Sequence, residues 1–286
     1  MSWNWIVVPL AILVAVRGAY VTGTYIIYWY ESAQKGFPHL ENSGPVWLVG
    51  LRALAGLAAE ILSSLLVLLA YPLRLLDGRR PMPPGDRRPV LLVHGMYVNG
   101  GALMLLRRRL RRAGWTSVHL LDLDFRRGHI SALSDQVAAC IEEIRSSTGA
   151  DRVDAVGHSL GGVVIFHTLL RGGGAAALGT CVALGAPFRG TRMASFSTLP
   201  LVRQLAPGSA VLKELAAILE GSPAIAGASR LVSIWSNYDN VVIPTESAIL
   251  PEPPVENIRV DFVGHVTLLF SPGVAHQIER VLKGSV

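Results

Sequence analysis

The sequence predicts an α/β protein, a doubly wound and mostly parallel sheet preceded by an N-terminal helical hairpin. Three observations carry this. From Pro89 onward, short continuous apolar runs alternate with longer segments of helical spacing. One strand-to-helix junction, Gly157–Gly162, is crowded with small residues. The first 76 residues hold two long apolar stretches unlike anything that follows.

Composition bounds the reading. Of 286 residues, 51% are apolar and only 16% charged, which is too apolar for a purely soluble chain. The N-terminal quarter accounts for the excess and leaves a domain of roughly 200 residues, ample for a buried core. The formal charge of +6 is mostly arginine. No recognition motif and no interleaving of basic and aromatic residues points to nucleic acid, so none is expected as a partner. Cys140 and Cys181 fall in a predicted helix and a predicted strand and read as free thiols.

Taking the elements in order, Trp3–Tyr30 is apolar around Arg17, and Val46–Leu76 is apolar around Arg52 and Glu60. Each is long enough to cross a hydrocarbon core of ~30 Å as a helix. Met1–Trp5 carries no basic side chain and a second apolar segment follows, so retained anchors are expected rather than a cleaved leader. Trp3, Trp5, Tyr28, Trp29 and Tyr30 sit where an interfacial aromatic belt would lie. Arg74, Arg79, Arg80, Arg87 and Arg88 follow the second segment and place the next domain on the cytoplasmic side. In a hairpin, Arg17 and Glu60 fall at similar depth, which predicts that they pair or share a polar cavity. The alternative is a segment lying along the interface or against the following domain. Gly18, Gly23, Gly50 and Gly56 suit helix pairing, within or between chains, and leave the oligomeric state open. Asp77–Arg88, rich in proline, glycine and arginine, reads as a linker to a domain over 89–286.

In that domain, strands are expected at Pro89–Val93, Ser117–Leu123, Val153–Val156, Thr180–Leu184, Leu231–Trp235 and Ile258–Val263. Helices are expected at Leu103–Arg112, Ser131–Ser147, Leu160–Leu170 and Val274–Leu282. Residues 188–230 form an insertion, with Leu199–Leu219 at roughly helical spacing: either a lid or a helix fixed to the body.

The chemistry concentrates in Gly157-His158-Ser159-Leu160-Gly161, lying between a strand and a helix. A serine held on so tight a turn needs neighbours without bulk, hence Gly157 and Gly161. The helix start behind it presents N–H groups to developing negative charge. His94-Gly95 after the first strand marks the other side of an oxyanion hole, with the N–H groups of Met96 and Leu160 as donors and His94 holding the loop. A nucleophilic serine needs a base and an acid behind it. His265 follows the last strand, whereas His167 and His276 lie in helices. Asp239 follows the preceding strand; Glu246 is the alternative acid, and Asp261 lies within a strand. Ser159, Asp239 and His265 are therefore the candidate catalytic residues, with no metal expected.

These residues resemble bacterial lipases and esterases of the α/β-hydrolase superfamily. The likeness rests on Pro89–Gly95, Gly157–Gly162, Ile234–Val242 and Asn257–Phe270, with Leu184–Thr191 similar to a segment of larger lipases. It implies Ser159 as nucleophile, His265 as base, Asp239 as acid, and cleavage of acyl esters without a cofactor. Where larger lipases carry a calcium-binding aspartate after the histidine, Val266 and Thr267 stand here, so no calcium is expected. The N-terminal quarter has no counterpart in the secreted relatives. It implies a bacterial inner-membrane protein acting on lipid or acyl-ester substrates, with a phospholipase, thioesterase or acyltransferase, or an inert membrane-bound scaffold, as alternatives.

Overall fold

The computed structural model describes residues 4–36, 44–76, 85–169, 174–221 and 230–284. Six strands, β1 Val90–Val93, β2 Val118–Leu121, β3 Val153–His158, β4 Leu178–Leu184, β5 Leu231–Ser236 and β6 Val255–Val260, form one sheet. Their order is β2-β1-β3-β4-β5-β6, and every pairing is parallel. All residues of β1, β3, β4 and β5 are buried, because helices cover both faces, which is why these strands read as near-continuous apolar runs. Leu91, Val93, Ala155 and Ala183 join one core with helices Ile130–Thr148 and Leu160–Thr168. Val90, Leu92, Val156, Val182 and Ile234 join the other with helices Met104–Arg112 and Pro272–Lys283. From β1 the chain steps to β2 on one side, then returns to β3 on the other. The loops after β1 and β3 therefore part and open a crevice at the carboxyl edge of the sheet.

Two local expectations change. β6 begins at Val255 rather than Ile258, with Val255–Asn257 paired to Leu231–Ser233. On an edge strand the backbone register sets the start, and polar Glu256 and Asn257 are tolerated there. The helix expected over 199–219 is two helices, Pro200–Arg203 and Ala210–Gly221, since Pro207 cannot continue a helix and Gly208 turns at φ +76°. Leu201, Leu205, Leu212, Leu215 and Leu219 are buried in the core, so this apolar face packs on the body.

The N-terminal segment forms helices α1, Asn4–Gln34, and α2, Val46–Ala70. Both are long and apolar enough to cross a membrane. Each nevertheless lays one face on the body. Val21, Tyr25 and Tyr28 of α1 make a buried cluster with Tyr238 and Ile243, joined by Ala53 and Leu57 of α2. Gly56 permits this approach, because a Cβ there would lie 2.9 Å from the Phe262 carbonyl oxygen and from the Tyr238 ring. That glycine thus serves the contact with the body, whereas Gly18, Gly23 and Gly50 have open space beside them. Tyr28, expected in an interfacial belt, is buried and donates its hydroxyl to the Asn237 carbonyl at 2.7 Å.

The arginines after α2 also have partners in the body. Arg74 bonds Asp122 at 2.7 Å, Arg88 faces Asp154 at 3.7 Å, and Arg87 stacks over Trp115 at 4.4 Å. Their positive charge is therefore not free to report orientation alone. Arg79 and Arg80, with most of the linker, lie outside the described residues.

Candidate active site

Parallel strands bring their carboxyl ends to one edge, and three of those ends carry the candidate residues. Ser159 follows β3 at φ 55°, ψ −122°, a conformation that costs an L-residue energy. Its N–H donates to the Leu184 carbonyl of β4 at 2.8 Å, fixing the turn to the neighbouring strand. The glycines are sterically required. A Cβ on Gly157 would sit 2.5 Å from the Gly161 backbone, and one on Gly161 would sit 2.5 Å from the Val93 carbonyl oxygen. The helix Leu160–Thr168 starts immediately behind the serine.

After β5, Asp239 is buried and its Oδ1 accepts the N–H groups of Val241 and Val242 at 2.9 and 2.8 Å. Its Oδ2 accepts Nδ1–H of His265, beyond β6, at 2.8 Å. This leaves Nε2 of His265 for proton transfer. Burial pushes the His265 imidazole down, but the charge and hydrogen bond of Asp239, then the charge of Glu60, outweigh it and raise it above the ordinary 6.5. His158 ties the serine turn to this loop. Its ring lies 4.7 Å from that of His265, and its Nε2–H donates to the His265 carbonyl at 3.0 Å. Among the described residues the Ser159 hydroxyl has no hydrogen bond of its own, His265 included; such contacts commonly tighten only once substrate is bound.

On the β1 side, His94 Nδ1–H donates to the Gly95 carbonyl at 2.8 Å and Nε2 accepts the Leu123 N–H at 3.0 Å. Both ring nitrogens are used, so this imidazole holds the loop. Burial keeps it uncharged. A Cβ on Gly95 would lie 2.9 Å from the Ser159 Cβ, so the loop carrying Met96 comes close to the serine. Leu160 opens the helix on the other side.

The remaining candidates separate. Glu246 faces Lys35 at 3.6 Å, Asp261 bonds Arg259 at 2.7 Å on the exposed edge, His167 bonds Ser134 within the core, and His276 is exposed. Arg17 and Glu60 do not form the expected pair. Arg17 is half-buried, while the Glu60 carboxylate accepts the N–H groups of Val266 and Thr267 and the Thr267 hydroxyl, each at 2.8 Å. The backbone beside His265 offered closer donors than the guanidinium.

Sequence reasoning missed several supports of this site. Asn240 accepts the His265 N–H at 3.1 Å and donates to Thr24 of α1 at 2.7 Å. Tyr238 donates to the Ala53 carbonyl of α2 at 2.9 Å. The available signal was hydroxyl side chains, Thr24, Tyr25, Tyr28 and Ser32, at helical spacing in an apolar segment. Among the described residues no group of three or more His, Cys, Asp or Glu side chains is placed to hold a metal ion.

Residues 90–271 match the alpha/beta hydrolase family. Among solved structures, a Bacillus licheniformis lipase in its mature form gives a TM-score of 0.59 at 16% identity, over 72% of this chain and 95% of that one. Lipase B of Aspergillus fumigatus gives 0.58 at 20% identity, over 69% of this chain and 52% of that one, so the chain spans about half of the fungal protein. A membrane phospholipase A, described as a bacterial virulence factor, gives 0.50 at 16% identity, over 84% of this chain and 98% of that one. That overlap is wider than residues 85–286 alone and so takes in part of the hairpin. At these identities the likeness carries fold, not activity.

Proposed function

Since the chain belongs to the alpha/beta hydrolase family, we propose that it is a membrane-associated carboxylic ester hydrolase acting on lipid-like acyl esters through Ser159, His265 and Asp239. What supports this is a strained serine turn, tied by His158 to the His265 carbonyl at 3.0 Å, beside the 2.8 Å His265–Asp239 pair. In the cycle, Nε2 of His265 takes the Ser159 proton as Oγ attacks the ester carbonyl. The oxyanion is held by the N–H groups of Met96 and Leu160, where one such donor is typically worth ~3 kcal/mol. The imidazolium then protonates the departing alcohol, leaving an acyl-serine. Water, deprotonated by His265, releases the acid and restores the serine. Asp239 holds the tautomer and stabilises the imidazolium without taking its proton.

Membrane association rests on α1 and α2, whose outward faces expose Val8, Ile12, Val16, Leu51, Leu54, Leu62 and Leu69. The 84% overlap with a membrane phospholipase A favours phospholipids as a second substrate reading. The test is a panel of p-nitrophenyl esters and phospholipids with purified wild type and Ser159→Ala, alongside labelling by a fluorophosphonate. Wild type should turn over esters and label, and Ser159→Ala should do neither while unfolding at the wild-type temperature. Substantial hydrolysis by that variant would end the assignment, and preference within the panel separates simple ester from phospholipid.

A further inference from the structure

The membrane-type helix α2 carries a buried carboxylate into the candidate active site, and the proposed reaction does not use it. Glu60 is 1% exposed. Its two oxygens accept the N–H groups of Val266 and Thr267, the two residues directly after His265, and the Thr267 hydroxyl, itself 3.1 Å from Ser63 of α2. Gly264, directly before His265, makes room for it. A Cβ at Gly264 would lie 2.3 Å from Glu60 Oε2 and 2.7 Å from the Tyr25 hydroxyl. The chain on both sides of the histidine is thus fitted around one side chain from outside the hydrolase body.

We propose that Glu60 is a positioning residue for His265, fixing the loop that carries the imidazole and supplying a second buried carboxylate beside it. This rests on the triad reading above, since it assigns Glu60 its role through the candidate base. Three charge-assisted hydrogen bonds to adjacent groups hold a loop far more firmly than neutral ones would. The negative charge also favours the imidazolium that forms during acyl transfer. The groups facing His265 are Asp239 after β5, Glu60 of α2 and His158 at the end of β3, with the Tyr25 hydroxyl of α1 beside the preceding Gly264. Burial keeps His158 uncharged, so Asp239 and Glu60 supply the charges that the imidazole senses.

The sign follows directly. A raised His265 means that neutral imidazole, the form able to accept the serine proton, becomes the major form only above the ordinary 6.5. Glu60→Gln keeps the size of the side chain, removes its charge and turns an amide donor toward one of the backbone donors. His265 should then lose its proton at lower pH.

Two readouts on the full-length protein in detergent test this. In nitrogen-15 histidine spectra, with His265→Asn for assignment, His265 of the wild type should titrate above 6.5, and below the wild-type position in Glu60→Gln. In fluorophosphonate labelling of Ser159 across pH, Glu60→Gln should shift the acid limb to lower pH and lower the plateau roughly tenfold. Thr267→Val, which removes one donor and keeps the charge, should lower the plateau by less and leave the limb in place. A Glu60→Gln protein that unfolds earlier but keeps both the His265 titration and the limb would reduce Glu60 to a packing residue and overturn the proposal. A wild-type His265 titrating at or below 6.5 overturns it without any variant. Failure of the wild type to label would count against the hydrolase reading alone, because the spectra report on Glu60 and His265 independently.

Discussion

The two halves of α1 belong to one long apolar span but meet different surroundings. From Val7 to Val16 every described side chain is exposed, and all are aliphatic except Pro9. From Val21 to Ser32, positions 21, 24, 25, 28 and 32 are buried against the loops that carry Asp239 and His265. The buried half differs by its hydroxyls. Thr24 meets Asn240, and the Tyr25 and Tyr28 hydroxyls meet the Tyr238 and Asn237 carbonyls. Loop backbone taken out of water needs donors and acceptors, and a purely aliphatic face cannot supply them. The other half needs only an apolar surrounding. Averaged over its length, hydropathy reads α1 as one span, whereas the hydroxyls of its second half mark where it meets the body.

The contrast is broken most severely where the packed half closes around the catalytic loop. Gly264→Ala places a methyl group where Glu60 and Tyr25 already stand, without adding backbone strain, since Gly264 has no positive φ. The loop or the helices must give way, and a shift of about 1 Å at the base costs on the order of 100-fold in turnover. Steady-state ester hydrolysis measures this. Gly273→Ala is the control, because its Cβ would meet nothing closer than 3.7 Å. Equal activity in the two variants would mean that the hairpin does not constrain His265.

A smaller effect is expected from emptying the aromatic cluster. Tyr25 is fully buried, with ring centroids 4.7 Å from Tyr238 and 5.8 Å from Trp29. Tyr25→Ala should cost about 3–5 kcal/mol, a fall of roughly 10 °C in the unfolding midpoint of the intact protein in detergent. A change of one or two degrees would show that helix and body unfold independently.

How much of this was legible in the sequence follows from how local each signal is. The serine turn reads directly, because its glycines and serine fall within five residues of one another, although the crowding at Gly161 comes from distant Val93 and His94. The strands of the inner sheet read well too, since burial on both faces makes them continuously apolar. His265 and Asp239 could be named from chain order and strand ends, although 26 positions separate them. Glu60 could not be placed. Its partners lie more than 200 positions away, and two of the three are backbone N–H groups, which leave no trace in side-chain pattern. The same holds for Tyr28, whose acceptor is a backbone carbonyl. Pro207 was visible, but the leucine spacing around it outweighed the break it imposes.

The mildest test acts on the exposed half and asks what its surroundings are. Val8, Ile12 and Val16 form one outward stripe at intervals of four residues, each more than half exposed. Changing all three to serine removes no contact with the body, so the unfolding midpoint in detergent should stay within about 0.5 kcal/mol of wild type per site. If the stripe lies in lipid, each change forfeits part of the ~1.5–3 kcal/mol that a fully buried aliphatic side chain contributes. Alkaline extraction of membranes should then release more of the variant than of the wild type, with α2 still retaining a fraction. Tyr25→Ala should do the reverse, lowering stability while leaving extraction unchanged. Were the serine variant to resist extraction as the wild type does, lipid would not be what this half of α1 faces, and the two halves would differ in polarity but not in solvent.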